Sequence, residues 1–491
     1  MYYVSTRNKE DRRTAAEAIA QGLAADGGLM TPEVFPKLSH NALDTMRDMS
    51  YQQRAVYVMN SYLDDFTASE LSAYADKAYG GEKFDVKEVA PVRAVDENTY
   101  CLELWHGPTS AFKDMALQML PHLLSASLVK NQEEKTVCIL VATSGDTGKA
   151  ALEGFRDVDR TKILVFYPKD GVSAIQELQM VTQEGANVGV CSVVGNFDDA
   201  QAGVKRIFSD EAIRATLADR GYFLSSANSI NWGRLVPQIV YYFAAYGQLL
   251  RAGEISFGDP VDFCVPTGNF GDILAGYYAK RMGLPVGMLI CASNENNVLT
   301  DFLSTGCYAA RRTFYKTTSP SMDILVSSNL ERLLYHITGS DAAVTGWMQS
   351  LNETGSYTVD KDTLAAIQQS FGCGWASEAE VCQEIRARYE QDGYLCDTHT
   401  AVAFHVAAQK KREGVPMVVL STASPFKFPR SVLEALGRTA PENDFEAMQQ
   451  LEAATAHTAP ASLAALRQKP ERFNTVIDPA QIAEVALGYQ E

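Results

Sequence analysis

The sequence predicts an α/β fold in which parallel sheets are flanked by helices and an additional lobe stands at the N-terminus. Apolar runs of strand length recur at intervals of about 26 residues in the middle of the chain, which is the spacing that a β-α-β crossover needs. Amphipathic helical patterns occupy the intervals between these runs. The length of 491 residues also exceeds what one hydrophobic core usually holds, so more than one core is expected.

The chain divides into three predicted regions. Residues 1–95 carry helical patterns separated by glycine turns and predict a small lobe of their own. Residues 96–430 carry the alternation of strands and helices and predict an α/β core of two lobes, the smaller at 105–215. Within this region, residues 303–392 show long helical patterns that we interpret as an addition outside the sheets of the α/β core. Residues 431–491, rich in Ala, Glu and Gln, predict a helical segment packed on the core.

The sheet of the smaller lobe is predicted from three apolar runs, Val137–Ala142, Ile163–Tyr167 and Val188–Val193. Helical patterns that begin at Thr147 and at Ser173 separate them. Strands that are buried on both faces have continuous apolar sequences, so these runs indicate a parallel sheet covered by helices.

A second sheet is predicted from three further apolar runs, Phe263–Val265, Val286–Ala292 and Val415–Leu420. Helices are expected after Asp272 and after Arg430. Because ligands collect at the carboxyl ends of strands in open α/β sheets, the residues that follow each run are the candidates for chemistry.

The composition narrows the classes of function. With 43 basic and 60 acidic residues the formal net charge is −17, which repels nucleic acid and anionic lipid, so neither is expected as a partner. The most apolar helical stretch, Val236–Leu250, is interrupted by Gln238 and Gln248 and is shorter than the about 20 residues that a membrane span requires. Residues 1–13 lack the apolar segment of a secretory signal.

The nine cysteines are odd in number and scattered, as expected of small buried side chains in a reducing compartment. Cys396 and His399 lie close in sequence but lack the second pair of ligands that would complete a zinc site. We therefore expect a cytoplasmic protein without a structural metal.

The segment His106–Asp114 is the first candidate for chemistry. It combines a Gly-Pro turn with a predicted helix start, and Lys113 is expected in the first turn of that helix. The positive end of the helix dipole disfavours an ammonium and would lower the pKa of this amine, which suits a lysine that bonds covalently to an aldehyde. The alternative, a solvated lysine beside Asp114, stays open because a single residue seldom identifies a site.

The segment Thr143–Gly148 lies between a predicted strand and a predicted helix. Its backbone N–H groups and hydroxyls can line an anion or a ring oxygen. The alternative is an ordinary helix N-cap, for which Thr and Asp are both suited.

The segment Gly268–Asp272 is a further strand-to-helix turn. It lacks the lysine and hydroxyl of a P-loop and the G-x-G-x-x-G pattern of dinucleotide sites, so a single phosphate held by backbone N–H groups is the reading that remains beside a plain tight turn. The hydroxyls of Leu420–Phe428, which follow the last apolar run, either reach a neutral ring nitrogen or form a local turn with Pro425.

These segments together resemble the threonine synthase family, which belongs to the fold-type-II pyridoxal-phosphate enzymes with a tryptophan synthase β-like fold. The resemblance extends to about Pro429. The matching motifs are His106–Asp114, Thr143–Gly148, Asn228–Arg234, Gly268–Asp272, Ser319–Ile324 and the N-terminal Gly22–Leu29. Other fold-type-II enzymes generally lack the N-terminal lobe, so the last motif bears most on the subfamily.

The resemblance implies that the chain converts O-phospho-L-homoserine and water into L-threonine and phosphate with pyridoxal 5'-phosphate, as a monomer or homodimer. Lys113 would carry the cofactor and be the catalytic residue, Asp146 would lie near the ring 3'-oxygen and Thr422 at the ring nitrogen. The cofactor phosphate would be bound by five successive residues: Gly268, Asn269, Phe270, Gly271 and Asp272. The substrate would be bound by Arg234, as the candidate for its phosphate, and by Ser144, Thr147 and Asn231.

Two alternatives remain open from the sequence. The first is a pyridoxal-phosphate-dependent β-eliminating lyase or dehydratase that acts on a hydroxy or phosphorylated amino acid, which would yield a 2-oxo acid. The second is a catalytically silent homologue that binds an amino acid, against which the retention of Lys113 and the three ligand turns stands.

Overall fold

Two sheets of mostly parallel strands form the framework, which confirms the predicted α/β architecture. The computed structural model describes residues 1–489. In these residues the apolar runs are strands and the intervals between them contain helices, because each strand buries both faces and so requires a helical layer on either side.

The N-terminal lobe joins a small antiparallel sheet to four helices. Three of the helices begin at a capping box, formed at Thr14, Ser50 and Thr67, in which the cap side chain and a glutamate or glutamine satisfy each other's backbone N–H groups. The sheet, in the order β2-β1-β3, was not predicted from the sequence. The elements are β1 (Tyr3–Ser5), β2 (Asn8–Arg13), α1 (Ala15–Gln21), β3 (Met30–Pro32), α2 (His40–Met46), α3 (Tyr51–Tyr62) and α4 (Ala68–Tyr79).

The next region contributes β4 and β5 to the larger sheet, builds the smaller lobe and ends in the helix that connects the two lobes. Its elements are β4 (Val92–Asp96), β5 (Thr99–Glu103), α5 (Asp114–Leu117), α6 (Leu120–Lys130), β6 (Thr136–Ala142), α7 (Asp146–Phe155), β7 (Thr161–Pro168), α8 (Ala174–Val181), β8 (Val188–Val193), α9 (Phe197–Ser209), α10 (Glu211–Asp219), β9 (Tyr222–Ser225) and α11 (Trp232–Ala252). The three predicted strands correspond to β6, β7 and β8, and β9 adds an edge strand that the sequence did not indicate.

The remaining elements complete the larger lobe and the C-terminal segment. They are β10 (Val261–Pro266), α12 (Gly271–Met282), β11 (Val286–Ser293), α13 (Val298–Thr305), β12 (Cys307–Ala309), α14 (Leu330–Thr338), α15 (Asp341–Thr354), β13 (Ser356–Thr358), α16 (Lys361–Gln368), β14 (Phe371–Trp375), α17 (Glu378–Asp392), α18 (Thr398–Lys410), β15 (Met417–Ser421), α19 (Pro429–Ala435), α20 (Asp444–Thr455), α21 (Ala461–Ala464), β16 (Val476–Ile477) and α22 (Ile482–Gly488).

The larger sheet has the order β14-β11-β10-β15-β5-β4 and is parallel except for the antiparallel pair β4 and β5. In its centre Phe263 pairs with Val418, and Leu420 pairs with Leu102 of β5. β14 lies within the region 303–392, so part of that region belongs to the sheet and is not an addition outside it.

The smaller sheet has the order β16-β8-β7-β6-β9, and all of its strands are parallel. β16 belongs to the C-terminal segment and pairs with the edge of β8. The rest of that segment consists of helices and loops. The carboxyl ends of β6 and of the central strands of the larger sheet carry the predicted ligand turns.

The helix α11 connects the lobes and is almost fully buried. It begins at Trp232, four residues before the apolar stretch Val236–Leu250, and Asn231 caps it. The Trp232 ring packs between Tyr3 and Tyr62 of the N-terminal lobe and Tyr278 of α12, with centroid distances of 5.3, 5.4 and 5.2 Å. Across residues 1–489, no helix combines the length and the apolar character that crossing a membrane requires.

Candidate active site

The ligand turns predicted from the sequence meet at the carboxyl ends of the strands. The turn after β5 is tied to the turn after β15, because the N–H of Phe112 donates to the carbonyl of Thr422 at 2.8 Å and Ala111 forms a β-bridge with Ala423. Thr422 is buried at this junction and lies next to the segment that carries Lys113. The pairing of β5 with β15 therefore brings together two turns that are far apart in sequence.

Lys113 is the N-cap residue of α5 and is buried. Its Nζ donates to Oγ of Ser321 at 3.1 Å and lies 3.9 Å from Oδ2 of Asp146. Burial lowers the pKa of Lys113 to about 8, against the opposing charge of Asp146. The predicted cause was the helix dipole, but α5 has only four residues, so desolvation explains the shift instead.

The carboxylate of Asp146 is held by a second buried lysine. Oδ1 of Asp146 lies 2.6 Å from Nζ of Lys427 and accepts a hydrogen bond from Nε2 of Gln176 at 3.0 Å. Burial alone would raise the pKa of Asp146, but Lys427 and Lys113 hold the pKa well below its ordinary value. Asp146 is therefore an ionised carboxylate inside the site. Lys427, which lies in the segment after β15, was not predicted from the sequence as a site residue.

Thr143 performs the capping role in the turn before α7. Its Oγ1 accepts from the N–H groups of Gly145 at 3.0 Å and Gly148 at 2.9 Å. Ser144 is exposed and Thr147 is half-buried, so their hydroxyls are not consumed by the cap. Thr143 therefore serves the helix cap, whereas the hydroxyls of Ser144 and Thr147 are left for a ligand.

The turn Gly268–Asp272 leads into the twelve-residue helix α12. A Cβ atom on Gly268 would lie 2.7 Å from the carbonyl oxygen of Ser321, so only glycine allows the backbone this close. Phe270 has a left-handed backbone with φ of 62°, and its ring packs on Phe371, which leaves its backbone as the part that faces the turn. The N–H groups at the start of α12 form a favourable position for an anion.

The other two members of this turn have specific surroundings. Asn269 is exposed, and its carbonyl accepts from the N–H and Nδ2 of Asn329. The carboxylate of Asp272 accepts from the N–H of Ile273 at 2.8 Å, and burial raises the pKa of Asp272 to about 6. The backbone of this turn, and not the Asp272 carboxylate, is therefore suited to a phosphate.

Arg234 is a buried cation in the first turn of α11. Its Nη1 donates to the carbonyl of Ala227 at 2.8 Å, and within residues 1–489 no carboxylate lies within 4 Å of its guanidinium. Burial lowers the pKa of Arg234 to about 10, and its charge is close enough to lower the pKa of Lys113. A desolvated guanidinium without a carboxylate is suited to an anionic ligand.

Asn231 is fully buried and serves mainly the protein itself. Its Nδ2 donates to the carbonyls of Ile19 and Ser226, both at 3.0 Å, and its Oδ1 accepts from the N–H of Gly233. Both amide hydrogens are thus used to fix the start of α11 and to join it to the N-terminal lobe. A direct contact of Asn231 with a ligand stays a prediction.

The sequence leaves two roles open for His106, a proton relay or a structural partner of the turn, and the structure holds its ring between two carboxylates. Nδ1 contacts Asp85 and Nε2 lies 2.9 Å from Oε2 of Glu103. Burial opposes protonation, but the two carboxylates raise the pKa of His106. Because both ring nitrogens are occupied by protein groups, the structural interpretation is favoured.

Three family models match the chain. "Threonine synthase N terminus" matches residues 2–79, "Pyridoxal-phosphate dependent enzyme" matches residues 88–422, and "Threonine synthase, C-terminal" matches residues 400–486.

The chain is also similar to individual proteins. It is 42% identical over 453 residues to "Threonine synthase-like 1" of Homo sapiens, covering 88% of this chain and 60% of that relative. It is 38% identical to "Threonine synthase" of Pseudomonas aeruginosa, covering 99% of this chain and 97% of the relative. The crystal structure of PLP-bound threonine synthase from Brucella melitensis superimposes with a TM-score of 0.89 at 39% identity, covering all of both chains.

Proposed function

The chain belongs to the threonine synthase family of pyridoxal-phosphate-dependent enzymes, and from this premise we propose that it converts O-phospho-L-homoserine and water into L-threonine and phosphate. Pyridoxal 5'-phosphate is the cofactor of this proposed lyase reaction.

One observation carries the proposal: two buried cations of different character belong to one site. Lys113 has a lowered pKa, which supplies a neutral amine near physiological pH, whereas Arg234 remains charged and lacks a carboxylate partner among residues 1–489. A phosphorylated amino acid requires both groups, because its amine exchanges with the lysine and its phosphate needs a permanent cation.

The residues present fit pyridoxal phosphate. Gly268 and the start of α12 offer an anion position made of backbone N–H groups, and a Cβ at Gly268 would not fit. Lys113 offers an amine that is partly deprotonated. We propose that the cofactor phosphate is bound by Gly268–Asp272, that Lys113 carries the cofactor covalently, and that Thr422 contacts the ring nitrogen.

When bound, pyridoxal phosphate supplies an electron sink for charge that develops on substrate carbon. The chain supplies orientation and proton transfer. The released amine of Lys113 moves protons at Cα and Cβ of the substrate, for which a pKa of about 8 is well matched. Lys427 keeps Asp146 ionised, so this carboxylate would be available as a hydrogen-bond acceptor near the ring 3'-oxygen when the cofactor is bound.

The substrate phosphate is assigned to Arg234. Its planar guanidinium can donate two parallel hydrogen bonds and retains its charge as phosphate departs from Cγ, so it stabilises both the bound ester and the leaving group. Ser144 and Thr147 are proposed to bind the substrate through their hydroxyls, and Asn231 to position the start of α11 beside it.

A cytoplasmic location is proposed from the state of the cysteines. All nine cysteines are free thiols, which supports a reducing, cytoplasmic environment. We propose that the chain acts as a monomer or as a homodimer. The domain division at residues 95 and 430 is likewise proposed, with an N-terminal lobe and a C-terminal segment that pack on the catalytic core.

The deciding experiment is incubation of the purified full-length chain and pyridoxal phosphate with O-phospho-L-homoserine, followed by measurement of threonine and phosphate in equal amounts. A 2-oxo acid product would overturn the proposal in favour of a β-eliminating enzyme. Borohydride reduction and peptide mapping should label Lys113, and Lys113→Ala should fold but form no threonine. Absence of label at Lys113 would indicate a silent binder.

A further inference from the structure

Ser321 touches the Lys113 amine directly. Its Oγ accepts from Nζ of Lys113 at 3.1 Å and donates to Oδ2 of Asp146 at 3.4 Å. Ser321 lies in a single turn of 3-10 helix, Pro320–Met322, which belongs to neither sheet. Such a short turn contains few hydrogen bonds of its own, so its position depends on the groups that hold it from outside.

His399 holds the backbone of this turn. The N–H of Ser321 donates to Nε2 of His399 at 3.2 Å, and Nδ1 of His399 lies 2.6 Å from Oδ2 of Asp397. Because an N–H group can only donate, Nε2 is the acceptor and Nδ1 carries the proton, so the imidazole is neutral in this arrangement. His399 and Asp397 are both buried at the start of α18.

Asp397 is fixed in turn by its own helix. It is the N-cap of α18 and accepts from the N–H groups of His399 and Thr400 at 3.0 and 3.1 Å, as well as from the Thr400 hydroxyl. The carboxylate therefore has no freedom to leave the imidazole, and the imidazole has one orientation.

The third contact of Ser321 is with the glycine turn. The carbonyl of Ser321 occupies the space that a Cβ of Gly268 would need. Ser321 thus contacts Lys113 through its hydroxyl, His399 through its N–H and the proposed phosphate turn through its carbonyl.

We propose that Ser321 positions the Lys113 amine and that His399, held by Asp397, positions Ser321. The inference rests on the proposed function, in which Lys113 is released in every turnover and must stay directed at the substrate. The released amine bonds to Ser321, which limits its motion. Ser321 and His399 are positioning residues and take no proton from the substrate.

The contact also bears on the charge of Lys113. Burial, Arg234 and Lys427 favour the neutral amine, whereas Asp146 and Asp272 favour the ammonium. The lone pair of Ser321 Oγ adds to the groups that favour the ammonium, so its removal should shift Lys113 towards the neutral form.

The test is competitive acetylation of the cofactor-free full-length chain with acetic anhydride, with peptide mapping of Lys113 as a function of pH. Loss of one hydrogen bond to an ammonium predicts that Lys113 of Ser321→Ala is labelled about three to ten times faster at pH 7. His399→Leu should change the labelling in the same direction, whereas His399→Gln, whose Oε1 can accept from the Ser321 N–H, should stay near the wild type. In the loaded enzyme, kcat of Ser321→Ala should fall more than KM rises.

Ser319→Ala is the matched control, because Ser319 is a buried serine beside the same turn whose Oγ bonds to Asn294 and not to Lys113. The proposal is overturned if Ser321→Ala leaves the labelling of Lys113 unchanged, or if Ser319→Ala raises it equally. Failure of the wild type to form threonine, with the labelling shifts intact, would refute the proposed function and leave the positioning contact standing.

Discussion

Nζ of Lys427 lies 2.6 Å from Oδ1 of Asp146, and both side chains are almost completely buried. The pair joins the turn after β15 to the start of α7 and so connects the two lobes across the site. Nζ of Lys427 also donates to the carbonyl of Thr109 at 3.1 Å, which ties the Lys113 segment to the same point.

Replacing Lys427 should therefore destabilise the fold. Lys427→Gln leaves a buried carboxylate without its closest cation, and we expect a loss of about 3–5 kcal/mol in the free energy of unfolding at pH 7, measured by urea denaturation. The double variant Lys427→Gln, Asp146→Asn should recover part of this loss, because the uncompensated charge is gone. Equal stability of Lys427→Gln and the wild type would contradict a stabilising role of the ion pair between Lys427 and Asp146.

The pH dependence of the same variant has a definite sign. The folded-state pKa of Asp146 is depressed, so the stability that its charge contributes is present at neutral pH and is lost as pH falls below the ordinary carboxyl value of about 3.9. In Lys427→Gln the pKa of Asp146 rises towards its ordinary value, so less stability remains to be lost and the dependence on pH below about 3.9 should flatten. Denaturation midpoints from pH 3 to 7 would check this, and parallel curves for the two proteins would count against it.

Covalent attachment of pyridoxal phosphate to Lys113 should follow the titration of the amine. Only the neutral amine attacks an aldehyde, so with a pKa of about 8 the rate should rise about tenfold per pH unit below pH 8 and level off above it. Stopped-flow absorbance of the cofactor-free chain mixed with pyridoxal phosphate measures this. A rate that continues to rise to pH 10 would mean that burial does not lower the pKa of Lys113.

Arg234 should determine affinity for the phosphorylated substrate. Loss of its charge-assisted hydrogen bonds in Arg234→Met predicts a fall of about 100-fold in kcat/KM, and Arg234→Lys should recover only part because a point cation lacks the bidentate fork. Arg54→Met is the control, since Arg54 is also buried and bonded to carbonyls but lies in the N-terminal lobe. Arg54→Met should be less stable to denaturation but should keep its KM in steady-state kinetics. A normal kcat/KM for Arg234→Met would exclude Arg234 as the group that binds the substrate phosphate.

Gly268→Ala should weaken cofactor binding. Its Cβ would lie 2.7 Å from the Ser321 carbonyl, so one of the two backbones must shift, and we expect about a tenfold or larger rise in Kd for pyridoxal phosphate. Gly346→Ala provides the comparison, because no heavy atom lies within 4 Å of its added Cβ and α15 should gain about 0.5–1 kcal/mol. Spectrophotometric titration distinguishes them, and equal Kd values would be inconsistent with a close-approach role.

Six strands buried on both faces were predictable from the sequence, whereas the buried β5 and the edge strands β4, β9, β14 and β16 were not. β6, β7, β8, β10, β11 and β15 are continuous apolar runs, since helices cover both of their faces. β14, with the sequence Phe371 to Trp375, contains two glycines and ends in an exposed tryptophan, so its apolar signal is weak. Edge strands depend on a partner that the local sequence does not reveal.

The same distinction applies to the site. The ligand turns were recognisable because each is a continuous segment that directly follows an apolar run in the sequence. Lys427 and Ser321 were not assigned roles, because a lysine after Pro-Phe and a serine in a short turn have no local feature that predicts burial. Their significance comes from Asp146 and Lys113, which are brought to them by the pairing of distant strands.

The interleaved strand order affects how the polypeptide matures during translation. β5 emerges from the ribosome early, but its partner β15 is synthesised more than three hundred residues later, and the edge of β8 is covered only when β16 appears. Pairings of such long range slow folding and leave sheet edges open to intermolecular association in the meantime. Nascent chains of this protein are therefore expected to depend on chaperones until β15 and β16 have been synthesised.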